Sequence, residues 1–80
     1  MCVYEAVKLR ILGLCEEKGM TINKLATESG VPRSSVKNIL YGKSRNPGIA
    51  TLKMLCDGLG VTLVSFFDAE IFKDLEQEIQ

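Results

Sequence analysis

Apolar residues along this chain recur at spacings of three and four, which is the pattern of amphipathic helices. The first such run extends from about Tyr4 to Lys18 and ends at Gly19. No alternating apolar and polar pattern of useful length predicts a β-strand. The sequence therefore predicts an all-α fold with five helices and a possible extra helix at the C-terminus.

Two short helices joined by a tight turn are predicted between Thr21 and Tyr41. Leu25 and Ala26 form the inward face of the first, and Gly30 supplies a residue that can adopt positive φ at its end. The second carries an apolar stripe at helical spacing, formed by Val36, Ile39 and Leu40. Two amphipathic helices linked this closely are typical of a helix-turn-helix.

The outward side of that second helix is made of hydrogen-bond donors and contains no acidic residue. It comprises Arg33, Ser34, Lys37, Asn38 and Tyr41. Arg33 lies in the first turn, where the helix macrodipole favours anions. A cation at this position predicts a partner such as a phosphate or the edge of a guanine base.

A fourth helix is predicted from Gly48 to Gly60, and Thr62 can cap a short fifth helix. The apolar residues expected to face the core are Ile49, Leu52, Leu55, Cys56 and Leu59 in the fourth helix, with Leu63, Phe66 and Phe67 in the fifth. Residues 1–67 are then expected to form one helix-turn-helix domain.

Residues 68–80 form a C-terminal segment with an apolar stripe and an acidic opposite side. Asp68 can cap a helix here, and the stripe consists of Ile71, Phe72, Leu75 and Ile79. An isolated helix this short is marginal, so the stripe must pack on something. Two partners fit: the first helix of the same chain, or the same tail of a second subunit, which would give a two-fold dimer.

Composition narrows the possible functions. The chain has 80 residues, the size of one domain. Its three cysteines are widely spaced and it has no histidine, so neither a disulfide framework nor a zinc site is indicated, and Cys15 and Cys56 are expected in the core. Because no catalytic constellation can be assembled, we expect no enzyme activity, no cofactor and no small-molecule ligand. Without a membrane-spanning run or a signal-peptide pattern, a cytoplasmic location is expected.

Charge is segregated along the chain although the formal net charge is +0. Residues 29–56 contain five basic residues and no acid, whereas residues 57–80 contain six acids and one base. The basic segment coincides with the second helix of the motif and the loop after it. This coincidence is typical of a surface that meets a phosphate backbone.

An ordered set of short motifs runs from about Ile11 to Phe67. It comprises Gly19-Met20-Thr21, Leu25-Ala26, Gly30-Val31, Val36, Ile39, Gly42-Lys43, Asn46-Pro47, Thr51-Leu52 and Leu59-Gly60-Val61. The set resembles the phage-repressor or Cro-like helix-turn-helix proteins, the XRE-family regulators. The resemblance implies a five-helix lambda-repressor-like fold and a sequence-specific regulator of transcription that binds double-stranded DNA. It also implies a homodimer on a palindromic operator, acting as a repressor or as an activator.

The resemblance further implies which residues touch DNA. Base edges in the major groove would be contacted by Arg33, Ser34 and Asn38, with Ser35 and Lys37 beside them. Phosphates would be contacted by Lys43, Ser44 and Arg45 in the loop, together with Thr21 and Tyr41. Backbone N–H groups at the starts of the second and fourth helices would also face phosphate.

Two features depart from the family's pattern. Ile22 stands where the family commonly has a glutamine that touches DNA. Cys15 and Leu40 stand where the family often pairs a buried arginine with a glutamate, so both charges are replaced together, which is compatible with a sound fold. The alternative function is an antitoxin-like or adaptor module with weak DNA binding, in which the apolar tail or Ile22 would engage a protein partner.

Overall fold

The computed structural model describes residues 1–42 and 46–79, and five α-helices lie in those ranges. They are α1 (Val3–Lys18), α2 (Ile22–Ser29), α3 (Arg33–Leu40), α4 (Ile49–Leu59) and α5 (Leu63–Phe67), followed by a 3₁₀ turn at Glu70–Phe72. The described residues contain no strand, so the predicted all-α fold with five helices is confirmed. None of the helices in those ranges is both long and apolar enough to span a bilayer.

Local sequence signals set the ends of these helices. Thr21 caps α2 because its hydroxyl accepts a hydrogen bond from the backbone N–H of Lys24 at 3.1 Å. Thr62 caps α5 in the same way, accepting from the N–H of Ser65 at 3.0 Å. The end of α2 falls at Gly30, whose φ of 72° lies in the left-handed region that favours glycine. The predicted boundaries of the helix-turn-helix are confirmed.

One apolar core joins all five helices. Its largest fully buried side chains are Ile11, Leu25, Val36, Leu40, Leu55, Cys56, Leu59 and Phe66. Three predicted core residues are not fully buried: Ile49 is 81% exposed, Phe67 is 41% exposed, and Leu63 is half-buried against the core. Ile49 opens the first turn of α4, whereas α2 approaches α4 further along, at Met54 and Gly58. Phe67 ends α5, where its ring is covered on one side by Phe66.

The backbones of α2 and α4 come together where Gly58 faces Ser29. A Cβ atom added to Gly58 would lie 2.7 Å from the Cβ of Ser29 and 2.8 Å from its backbone nitrogen. Ala26, predicted on the inward face of α2, is buried. The position that leaves no room for a side chain is Gly58, which the sequence pattern did not identify.

Cys15 and Cys56 lie in the core, as predicted, and both thiols are free. Burial raises the pKa of each thiol, so these side chains remain neutral packing groups. Leu40 is fully buried as well. The two positions at which the resembled family often holds an ion pair are therefore part of the apolar core in this chain.

The C-terminal segment does not form the predicted helix over 68–80. Asp68 ends α5 rather than starting a new helix, and Ala69 is extended. Only the 3₁₀ turn follows, and the chain is irregular from there to Ile79. The physical reason is tertiary: the ring of Phe72 packs 4.9 Å from that of Phe67, measured between centroids, and the backbone then runs on to reach the N-terminus.

This segment packs on its own chain. The 3₁₀ turn contacts α1, the backbone N–H of Glu76 donates to the carbonyl of Met1 at 3.1 Å, and the Glu76 carboxylate pairs with the Met1 amino group at 2.9 Å. Ile71, Phe72 and Leu75 are half-buried, whereas Ile79 is exposed. The predicted single stripe is thus divided, because residues outside a helix do not share one face.

Two side chains of α1 hold the carboxyl ends of other helices. The hydroxyl of Tyr4 donates to the carbonyl of Ile39, near the end of α3, at 2.6 Å. The guanidinium of Arg10 donates to the carbonyls of Phe66 and Ser65, at the end of α5, at 2.8 Å and 3.0 Å. Each bond satisfies a carbonyl close to the end of its helix, and the last four carbonyls of a helix have no intrahelical partner.

Candidate nucleic-acid interface

The turn between α2 and α3 is closed by side-chain and backbone hydrogen bonds. The hydroxyl of Ser29 donates to the carbonyl of Ala26 at 3.4 Å and accepts from the N–H of Val31 at 3.3 Å. Val31 is buried, and Pro32 is the N-cap of α3, with a non-helical ψ of 140°. These contacts fix where α3 begins and hold its polar side away from the core.

Four of the five residues predicted to read bases share one exposed side of α3. Arg33, Ser34, Lys37 and Asn38 are all exposed, at helix positions one, two, five and six. Ser35 is half-buried and lies around the helix from them. Within residues 1–42 and 46–79, no carboxylate pairs with Arg33 or Lys37. The side is therefore cationic and has donors available to a ligand.

A cleft of about 190 Å³ borders this side of α3. Its lining residues come from α3 and from the start of α4: Ser35, Asn38, Ile39, Asn46, Pro47, Gly48 and Thr51. The first backbone N–H groups of α4 have no intrahelical acceptors, and the helix dipole makes that end favourable for anions. Asn46 and Thr51 are two polar side chains of this cleft that the sequence prediction did not assign. Asn46 lies just before α4 and Thr51 lies in its first turn. That position is the feature by which the sequence could have identified them.

Two of the five residues predicted to contact phosphate, Thr21 and Tyr41, lie in the part of the chain that the structure describes. Tyr41 caps the end of α3 and is 65% exposed. Thr21 is exposed at the start of α2, although its hydroxyl oxygen already accepts the capping hydrogen bond. Lys43, Ser44 and Arg45 lie outside the residues that the structure describes. Ile22, which was expected to be exposed for a partner, is half-buried and packs against the core.

The exposed side of α2 carries one ion pair, between Lys24 and Glu28 at 2.8 Å. Hydrogen bonding to Glu28 raises the pKa of Lys24, and the same contact lowers the pKa of Glu28. Both side chains are exposed, so the pair adds little to stability. Its importance is that it neutralises Lys24, which leaves α3 as the helix of this motif with uncompensated positive charge.

No group of three or more metal-ligating side chains is found in the described part of the chain. The cleft and the polar side of α3 thus offer amide, hydroxyl, ammonium and guanidinium groups. Such groups recognise base edges and phosphate oxygens.

Comparison with known proteins gives consistent matches. A family model described as "Helix-turn-helix" matches residues 13–66. The chain is 44% identical over 55 residues to the HTH-type transcriptional regulator SlrR of Bacillus subtilis (strain 168), covering 69% of this chain and 36% of that protein. It is 38% identical over 52 residues to the HTH-type transcriptional repressor RghR of the same strain, covering 65% of this chain and 38% of that protein. The chain thus spans little more than a third of the length of these curated relatives.

Among solved structures, the chain is similar to the wild-type restriction-modification controller protein C.Esp1396I. The TM-score is 0.76 with 32% sequence identity, and the match covers 86% of this chain and 85% of that one. Since most of both chains superposes, the similarity extends beyond the two helices of the motif to the fold around them.

Proposed function

The chain belongs to the helix-turn-helix family of XRE type that its sequence resembles, and on that premise we propose that it is a regulator of transcription that binds double-stranded DNA in a sequence-specific way. The observation that carries the proposal is the exposed, acid-free side of α3, where Arg33 and Asn38 project together. One relative is named a repressor, and repression is the role we propose for this chain. The relatives' names describe regulators and not enzymes, which supports a binding function without catalysis.

In the proposed complex α3 enters the major groove. Arg33 donates two hydrogen bonds to a guanine edge, and the amide of Asn38 pairs with an adenine edge. Ser34 and Lys37 reach neighbouring bases on the same side. Ser35 is half-buried and lines the cleft where α3 meets the start of α4. In the complex it contacts the edge of a base in the major groove from there.

Phosphate contacts would surround this base-reading side. Thr21 caps the start of α2, Tyr41 lies at the end of α3, and Lys43, Ser44 and Arg45 follow α3 along the chain. The cleft beside the start of α4 adds Asn46 and Thr51 as donors next to free backbone N–H groups. These contacts set the register of the protein on the duplex without reading sequence.

A palindromic operator would require two copies of the chain related by a two-fold axis. We therefore propose a homodimer. The tail residues proposed for its interface are Ile71, Phe72, Leu75 and Ile79, of which Ile79 is the most exposed. The ring of Phe67, which is 41% exposed, packs on Phe72 and can extend the same surface.

The partner-binding alternative rests on apolar groups that would be open in the monomer. Ile22 is half-buried and packs against the core, so it is not open to a partner in the monomer. This placement favours the DNA-binding proposal over the alternative.

The proposal is tested by selecting bound sequences from random duplex DNA at moderate salt, with the protein's mass measured in parallel by light scattering. We expect an enriched inverted repeat and a dimeric mass. If a single half-site were enriched and the mass were monomeric, only the proposal of a homodimer would be contradicted. If the folded protein enriched no sequence, the proposal that it is a sequence-specific regulator would be contradicted.

The capping role of Thr21 can be distinguished from its proposed phosphate contact by comparing two variants. We expect Thr21→Val and Thr62→Val each to lower the free energy of unfolding by about 1 kcal/mol, because each removes the hydroxyl that caps a helix. Only Thr21→Val should also weaken DNA binding. Urea denaturation and fluorescence anisotropy measure the two effects, and equal DNA affinities of the two variants would contradict the contact at Thr21.

Lys43→Ala is expected to reduce the slope of log affinity against log salt concentration by roughly one unit, since one phosphate contact is lost. The preferred DNA sequence should stay the same. Affinity is measured across a salt series, with Lys73→Ala as the matched control, because Lys73 pairs with Glu70 in the acidic tail. If the slope for Lys43→Ala were unchanged, the proposed phosphate contact of Lys43 would be contradicted.

A further inference from the structure

The carboxyl end of α3 is held by a side chain from α1. At this end the N–H of Tyr41 donates to the carbonyl of Lys37 at 2.8 Å. The carbonyl of Ile39 accepts a hydrogen bond from the hydroxyl of Tyr4 at 2.6 Å, across 35 positions of sequence. Because Ile39 is adjacent to Asn38, this bond is made one residue away from a side chain proposed to read a base.

Tyr4 makes the bond from the first turn of α1. The α1 helix is anchored just beyond it by Ala6 and Ile11, both of which have no exposed surface. Ile39 is itself 3% exposed, so the apolar side of α3 and its carbonyl are fixed together. A short hydrogen bond between two such anchored groups restricts both the rotation of α3 about its axis and its displacement along it.

Apolar packing alone restrains the rotation of α3 less strictly than this hydrogen bond does. The positions that could carry a buried ion pair between α1 and the end of α3, Cys15 and Leu40, are both apolar here. Apolar contacts are not directional, whereas a hydrogen bond weakens steeply when its geometry changes. The Tyr4 hydroxyl therefore supplies a directional link between α1 and α3.

We propose that Tyr4 is a positioning residue for DNA recognition, which fixes the orientation of α3 so that Arg33 and Asn38 meet base edges in the correct register. This inference rests on the proposed function. It goes beyond it because Tyr4 lies on α1, outside the helix-turn-helix, and is not a DNA contact. Base readout depends on geometry within fractions of an ångström, whereas phosphate contacts tolerate small shifts. Loss of the hydroxyl should therefore affect specific binding more than non-specific binding.

The test compares wild type, Tyr4→Phe and Thr62→Val. Tyr4→Phe keeps the ring and removes only the hydroxyl. Thr62→Val removes a comparable hydrogen bond, at 3.0 Å, on α5. For each protein, affinity is measured for the selected operator and for an unrelated duplex, together with thermal stability and hydrogen exchange at the amide of Tyr41.

We expect Tyr4→Phe to raise the operator Kd by about threefold to tenfold, the range for one lost hydrogen bond. Its Kd for the unrelated duplex should change by less than about twofold, and the Tyr41 amide should exchange faster. Thr62→Val should leave the ratio of the two affinities unchanged. If Tyr4→Phe left the ratio of operator affinity to non-specific affinity unchanged, including by reducing both affinities in parallel, the positioning role would be overturned. A wild-type protein that binds both duplexes equally would instead overturn the proposed function.

Discussion

Replacing Gly58 with alanine is expected to destabilise the protein by roughly 2 kcal/mol, although alanine is normally the better residue inside a helix. The added Cβ would lie 2.7 Å from the Cβ of Ser29, 2.8 Å from its nitrogen and 2.9 Å from its Cα. Two of these atoms belong to the backbone, so they cannot rotate away. The helices α2 and α4, which form the most extensive helix pair of the fold, must then move apart.

Gly13 provides the matched control. It lies inside α1, is exposed, and a Cβ added there would meet no other element within 4 Å. Gly13→Ala is therefore expected to stabilise the protein by about 0.5–1 kcal/mol. Urea denaturation of both variants measures the difference. Were Gly58→Ala as stable as Gly13→Ala, the backbone approach between α2 and α4 would be looser than the structure has it.

The features predicted correctly from the sequence are those determined within a few residues. The apolar stripe of α3 and the caps at Thr21 and Gly30 are local, because helical spacing, a capping hydroxyl and a glycine at positive φ act over one or two turns. The exposed side of α3 follows from the same spacing, since positions opposite a buried stripe face solvent.

The features that the sequence did not predict depend on contacts between distant segments. Gly58 has the same local pattern as any helical glycine, and only the approach of Ser29 makes it necessary. The tail has the apolar stripe and the capping residue of an amphipathic helix, yet Glu76 bonds to Met1 at the other end of the sequence. Tertiary packing overrides weak helix propensity in so short a segment.

The candidate site divides in the same way. The shared exposure of Arg33, Lys37 and Asn38 was predictable because they lie on one side of a single helix. Asn46 and Thr51 line the cleft only because the start of α4 folds against α3. The bond from Tyr4 to Ile39 spans α1 and α3 and has no signature in either segment alone.

The largest effects on function are expected from Asn38→Ala and Arg33→Ala. Each should weaken binding to the selected operator by about 1–3 kcal/mol per affected base pair and relax the preference at that base pair in each half-site. The reason is that each side chain can make a bidentate hydrogen-bonded pair with one base, and alanine leaves the donors and acceptors of that base unpaired. Both side chains are exposed and lie outside the core, so the free energy of unfolding should change little.

Repeating the sequence selection with each variant measures this effect directly. Gln77→Ala is the matched control for Asn38→Ala, because it removes an exposed amide side chain from the tail. The two α3 variants should lose preference at different base pairs, since Arg33 lies in the first turn of α3 and Asn38 more than a turn later. The spacing between the relaxed positions would then give the direction of α3 along the groove. If Arg33→Ala and Asn38→Ala selected the same sites as wild type, α3 would not be the helix that reads the DNA.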